Sequence, residues 1–254
     1  MSRESFASMP SGDVPAGYLP RAVLYWTGFH LRRNLRKRSF KLWAVAFVLG
    51  ILGAQFAARV NPETLARAVV LGIVPFMALF FGAGSLREEI EDQTLTYAFT
   101  RPVGRTWTYV ARVLANGLPV AMLAAPAGVW IGWEIGETTA VRYGLAALLG
   151  AVAYGSFFAL VGQLIKWPAF FGLGWLLFWE GGVGTVPGFL GRLALVTHTR
   201  AVAGLPVTRD EAPWSTLWDA PPVLVSVVVL LGVTAGVLWL GAWRARAREF
   251  VITR

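Results

Sequence analysis

Cysteine is absent from the 254 residues, which removes disulfide frameworks, thiolate metal sites and cysteine nucleophiles together and leaves the redox compartment open. The lysines are Lys37, Lys41 and Lys166, and none follows a glycine, so there is no Walker A loop and the chain does not hydrolyse ATP by itself. The two histidines, His30 and His198, fall on opposite sides of a membrane in the topology given below. No His-Glu-x-x-His occurs, so no zinc or copper site within one chain is expected. Charge is scarce as well: 15% of residues are charged and 56% hydrophobic, with a mean hydropathy of +0.57. Too few polar residues remain to cover a soluble domain, and an integral membrane protein is expected.

Residues 1–18 form a polar tail rich in Ser, Pro and Gly. They carry no basic stretch leading into an apolar core, and no cleavable signal peptide is expected. In 19–40, Leu24, Gly28, Leu31 and Leu35 recur at helical spacing, and Arg32, Arg33, Arg36, Lys37 and Arg38 crowd the end. This reads as a basic amphipathic helix lying in the membrane interface, or more simply as a charge anchor before a spanning helix. Apolar runs then follow at 42–58, 68–86, 110–133, 143–165, 168–186 and 222–243. Each is near the roughly 20 residues a helix needs to cross about 30 Å of hydrocarbon. The runs are continuous rather than alternating, which excludes a barrel.

Six crossings place both termini on one side. Seventeen of the 23 Lys and Arg fall on that side, in the N-terminal region, the 87–109 loop and its border, Lys166 and the basic tail 244–254. The other six are Arg59, Arg67, Arg142, Arg192, Arg200 and Arg209. The positive-inside rule therefore puts both ends and the 87–109 loop in the cytoplasm. The net charge of +9 is then a topology signal, and nucleic acid is not expected as a partner because no soluble basic domain carries that charge.

Two stretches stand out from the apolar background. Between the fifth and sixth runs lies an outer segment, 187–221. Just before it, Glu180 sits in Trp179-Glu180-Gly181-Gly182-Val183-Gly184. An acid within a spanning run is costly and suggests function by default, as a contact for a cationic cargo group or as part of a gate. The bland alternative is a carboxylate near headgroups or satisfied by a neighbouring helix. The glycines allow a break and a re-entrant piece. Gly128-x-x-x-Gly132, Gly132-x-x-x-Gly136 and Gly232-x-x-x-Gly236 are candidate helix contacts, while Trp130, Trp133, Trp175 and Trp179 would suit an apolar cargo or an interfacial anchor.

The second stretch is the loop after the second run, with Arg87, Glu88, Glu89, Glu91 and Asp92, then Thr94, Leu95, Tyr97 and Phe99, then Arg101, Pro102 and Arg105. Acids there oppose the end of the preceding helix and favour the start of a new one, so a short helix is expected from Asp92 or Thr94 to about Phe99, closed by Pro102. Its aromatics and charges suit a cytoplasmic protein partner. Glu88-Glu89 also begins the Glu-Glu-x-x-x-Arg pattern of prenyl-protein proteases, but Gln93 occupies the Arg position. A rhomboid-type pairing of Ser156 has only the loop residue His198 to draw on.

Acids, Thr94-Leu95, a short apolar stretch and Pro102-x-x-Arg105 together resemble the coupling-helix region of ABC-2 type transporter permeases, with Gln93 where that family usually has Gly. Trp179-Glu180-Gly181, Arg192-Leu193 and His198 are similar to a submotif of some bacterial members. The resemblance implies an all-α membrane domain over 19–243: an elbow helix, six crossings, a cytoplasmic coupling helix between the second and third, and a re-entrant outer segment between the fifth and sixth. It also implies a multi-pass permease of the bacterial inner membrane that pairs with a second permease and with two copies of an ATPase subunit. That subunit would dock on the 87–105 loop and bind the ATP and Mg, and Glu180 and His198 would belong to the translocation path or gate. A sensor or scaffold using the loop for another partner, or less readily an intramembrane hydrolase, are the competing readings.

Overall fold

The computed structural model describes residues 18–83 and 105–247. Arg87, Glu88, Glu89, Glu91, Asp92, Thr94, Leu95, Tyr97, Phe99, Arg101 and Pro102 lie outside the described residues, as does the side chain of Arg105. Within them every regular element is helical: α1 (Tyr18–Arg36); α2 (Arg38–Leu52), prolonged by a π turn, Gly53–Ala57; α3 (Pro62–Arg67), which runs through a π turn, Ala68–Ile73, into α4 (Val74–Ala83); α5 (Arg105–Trp133); α6 (Glu137–Leu164); α7 (Pro168–Gly174), prolonged by a π turn, Trp175–Glu180; α8 (Leu195–Ala203); and α9 (Val223–Ala247).

Among the described residues, five stretches are long and apolar enough to cross a membrane: Arg38–Ala57, Pro62–Ala83, Thr106–Trp133, Glu137–Leu164 and Val223–Ala245. The chain is an all-helical, multi-pass membrane protein. The start of the second stretch is written in Asn61-Pro62-Glu63: the Asn61 side chain accepts from the Glu63 amide at 2.8 Å, and proline occupies the first helical position, where no N–H is needed.

The apolar run 168–186 takes a different form. Its helix covers only Pro168–Glu180, about 20 Å at 1.5 Å per residue, short of the roughly 30 Å of hydrocarbon. Gly181 and Gly182, poor helix formers, end it. Contacts along α6 then trace the path. Gly172 lies against Phe158, Trp175 packs against Phe157 with ring centroids 5.1 Å apart, Glu180 meets Tyr154, Thr199 lies against Gly150, and Gly204 lies against Arg142. The α7 helix and α8 are thus two successive pieces of one interrupted rod, antiparallel to α6, with 181–194 forming the interruption.

The centre of the bundle is the α5–α6 hairpin with α4 against it. Small residues set the spacing. A Cβ on Gly128 would lie 2.7 Å from the Tyr143 carbonyl oxygen, and one on Gly132 would lie 2.6 Å from the Ala140 Cα. The Gly128-x-x-x-Gly132 spacing therefore marks a real helix contact. Gly136, Gly232 and Gly236 have nothing within 4 Å, so the other two spacings mark none among the described residues. The first and last spans are peripheral, 17% buried against 67% for α6. At the far end of the hairpin, Trp130 donates to Gln55 at 2.9 Å and Gln55 donates to Glu134, tying the π turn after α2 to α5. Trp130 and Trp133 are exposed there and do not line an interior.

The α1 helix reverses the expected polarity. Leu24, Tyr25 and Phe29 stand outward, Leu24 72% exposed, whereas Thr27 and His30 are buried and Asn34 donates to the Asn116 side chain at 2.5 Å and the Ala115 carbonyl at 3.1 Å. Arg32, Arg33, Arg36 and Arg38 are exposed, and Lys37, in extended conformation, marks the break before α2. The seam between α1 and α5 therefore matches Thr27, His30 and Asn34 with Thr108, Arg112 and Asn116. Several of its polar atoms, Thr27 Oγ1, His30 Nε2 and Asn116 Nδ2 among them, are buried with no hydrogen-bond partner among the described residues. An outward face against lipid inverts the usual rule that apolar side chains go in.

Burial, then the charges of Arg112 and Arg33, lower the His30 pKa to about 4. The docked helix holds His30 neutral, while the undocked helix would protonate it near pH 6.5. Docking is therefore fully present above about pH 6.5 and weakens as pH falls toward 4. Hydrogen exchange of α1 amides, corrected for intrinsic rates, should show protection falling by on the order of tenfold between neutral pH and about pH 5. A His30→Gln variant should lose that dependence. Equal protection of the wild-type helix at both pH values would refute the role assigned to His30.

Candidate functional site

Glu180 lies 5% exposed at the C-terminal end of its π turn. Its Oε2 accepts from the Tyr154 hydroxyl at 2.8 Å and from the Val196 amide at 2.7 Å; its Oε1 accepts from Trp175 Nε1 at 3.2 Å and, more weakly, from the Leu195 amide at 3.4 Å. Tyr154 stands about 15 Å from the Leu164 end of α6 and about 25 Å from its Glu137 end, so the carboxylate is deep in the bundle. Two of the four donors are the first amides of α8, groups that have no partner within their own helix. Glu180 thus caps α8 from the far side of the interruption, placing its negative charge at the positive end of that helix.

Three of the four partners, the indole N–H and the two backbone amides, can only donate, which suits a carboxylate; the Tyr154 hydroxyl can donate to it or accept from its protonated form. Its acceptor capacity is occupied by protein, which leaves no lone pair aimed at a cargo cation. Of the two readings of Glu180, the side chain satisfied by its neighbours describes the geometry.

His198 is also buried. Its Nε2 lies 2.8 Å from the Arg192 carbonyl, so that nitrogen must donate, and Nδ1 then accepts from the Ser226 hydroxyl at 3.2 Å. A neutral imidazole thereby joins α8 to α9 and to the 181–194 interruption. Thr197 adds to the same junction, its hydroxyl lying 3.1 Å and 2.6 Å from the Gly184 and Gly191 carbonyls. Glu180 and His198, singled out in the sequence, therefore meet the same short helix, one at its first turn and the other on its side. The partners Tyr154, Thr197 and Ser226 carry no sequence signal of their own, and Trp175 stands out only as one of four tryptophans suited to a cargo or an anchor.

The chain matches no protein-family model and no curated protein.

A second cluster closes the other end of α8. Arg200, 4% exposed, donates to Glu211 at 2.7 Å and to the Pro206 carbonyl at 3.1 Å, and Arg67 donates to the same two groups. Burial alone would raise the Glu211 carboxyl. Hydrogen bonds from Arg200 and the Thr208 amide, with the charges of Arg200 and Arg67, outweigh it and hold the group below the usual carboxylate range. Gly204, at a φ of 75°, supplies the left-handed turn that ends the helix. The charge count treated Arg67 and Arg200 only as loop cations; the pairing with Glu211 was invisible because the three are brought together by the return of the chain.

Among the described residues no three His, Asp or Glu side chains gather into a cation site. What the arrangement can do is mechanical. A short helix fixed at both ends by charged groups is held against the π turn Ala68–Ile73, α6 and α9, and it moves only if those contacts move with it.

Proposed function

We propose that this chain is the membrane-spanning permease subunit of a bacterial ABC exporter, working as a pair and driven by an ATPase subunit docked on the 87–105 loop. The interrupted rod carries the reading: α7 with its π turn and α8 supply about 20 Å and about 13 Å, together enough for one crossing made in two pieces. Counted this way there are six crossings, both termini lie on the cytoplasmic side, the junction between the pieces falls within the fifth crossing, and the link from Gly204 to α9 is the outer part of the 187–221 segment. Discontinuous helices deep in a membrane are the usual place for transport machinery. The acidic loop between α4 and α5 supplies the contact that a chain without a Walker A loop needs.

In this mechanism closure of the ATPase pair displaces the loop, and α5 with α6 carries the displacement to α8. Glu180 and the Arg200–Glu211 pair act as positioning residues that keep α8 in register with α6. Export of an apolar or amphiphilic cargo suits the apolar bundle surface. Reversing Glu88, Glu89 and Glu91 to Lys should reduce the ATPase that copurifies with the chain by about tenfold, roughly 1.4 kcal/mol of lost contact. Undiminished copurification together with undiminished transport would refute the reading.

A further inference from the structure

Two apolar recesses flank the start of the interrupted rod. The larger, about 640 Å³, is lined by Trp167, Phe170, Phe171, Trp175, Phe178 and Trp179. The smaller, about 310 Å³, lies between Phe170 and the end of α4, against Leu79, Phe80 and Ala83. Trp167 and Phe170 border both and form the ridge between them. Phe170 and Phe178 are each 80% exposed, so the recesses open sideways, where a multi-pass protein faces hydrocarbon. Gly174 keeps the larger one open: a side chain there would meet empty space. Lys166, exposed, sits one residue from the ridge, at the end of the bundle where α6 stops and α7 begins.

Two apolar furrows that converge beside a cation have the form of a diacyl phospholipid with a negative headgroup. We propose that they hold one anionic phospholipid of the leaflet on the Lys166 side, its two acyl chains straddling Phe170 and its phosphate beside Lys166. Both volumes fall within the roughly 300–1,000 Å³ range of small-molecule sites. The lipid would lie against Trp175, whose indole N–H is bonded to Glu180, so its occupancy bears directly on the group that caps α8. This site requires only that the chain sits in a membrane, not that it works with an ATPase.

The test uses the full chain alone in phosphatidylcholine nanodiscs doped with a phosphatidylglycerol that carries a diazirine in one acyl chain. After illumination, crosslinks are mapped by mass spectrometry. Labelling should concentrate in 167–183 over the equally lipid-exposed α2 by about fivefold. In Gly174→Leu it should fall to the α2 level, with labelling of α2 itself unchanged. Gly174→Ala, which leaves most of the recess open, should label like the wild type. Moving the diazirine to phosphatidylcholine should lower labelling of 167–183 about fivefold, and Lys166→Gln should abolish that difference, the factor expected of one cation near a headgroup. Equal labelling of α2 and 167–183, or labelling untouched by Gly174→Leu, would overturn the site. Because no ATPase is present, such a failure leaves the transport reading standing, and loss of ATPase binding leaves the lipid site standing.

Discussion

Glu180→Gln should lower the stability of the purified protein by about 2 to 3 kcal/mol, and Glu180→Ala by about 4 kcal/mol, read as thermal unfolding in detergent. Glutamine has the size of the residue it replaces, so the loss reports hydrogen bonding and charge rather than volume. Whichever way its amide lies, its NH2 group must face either the Leu195 or the Val196 amide, donor against donor. One backbone N–H is then left buried without a partner, at roughly 1 to 3 kcal/mol, and the remaining bonds lose their ionic strengthening. The Tyr154 hydroxyl can turn and accept, so Tyr154→Phe, which removes one donor of four, should cost only about 1 kcal/mol. A descending series of losses, from Glu180→Ala through Glu180→Gln to Tyr154→Phe, is the expected signature of a cap. If Glu180→Gln unfolded with the wild type while transport alone collapsed, the residue would be a cargo contact instead.

Gly132→Val should be the most damaging single change in the hairpin. The first carbon of its side chain would stand 2.6 Å from the Ala140 Cα and 2.7 Å from the Ala140 nitrogen, and backbone cannot swing aside as a rotamer can. The helices must separate, and overpacking of this kind costs about 1 to 3 kcal/mol, at the upper end where only backbone is struck. Separation also opens the Gly128–Tyr143 contact one turn away, so Gly128→Val and Gly132→Val should be non-additive. The gain in helix propensity on leaving glycine, up to about 1 kcal/mol, works in the opposite direction. It is isolated by Gly232→Ala and Gly236→Ala, where nothing lies within 4 Å, and both should be neutral or slightly stabilising. Should Gly132→Val melt with these two controls, the hairpin contact would not hold the bundle together.

Hydropathy located the spans because a helix in hydrocarbon has no alternative to twenty-odd apolar residues. It could not see continuity. The run 168–186 is as greasy as a crossing, yet its helix stops at Glu180, and the only local sign was the Gly181-Gly182 pair. The exceptional status of Glu180 was legible from its cost; its role was not, since half of its partners are backbone amides and the others, Tyr154 and Trp175, look like any aromatic in a membrane helix. Spacing alone could not choose among three Gly-x-x-x-Gly pairs, because a contact depends on what faces it. The α1 helix misled for a different reason: Leu24, Leu31 and Leu35 have helical spacing whether the outside is water or lipid, so the buried stripe could only be found once α5 was beside it.

A helix beginning inside a lipid-bound protein carries a partial positive charge that bulk solvent does not neutralise. Left open, such an end would recruit chloride or phosphate and turn the middle of the bundle into a stepping stone for anions. Glu180 makes the counterion part of the polypeptide. The first amides of α8 thereby meet a carboxylate of the same chain, and a mobile anion finds no open amides to occupy there.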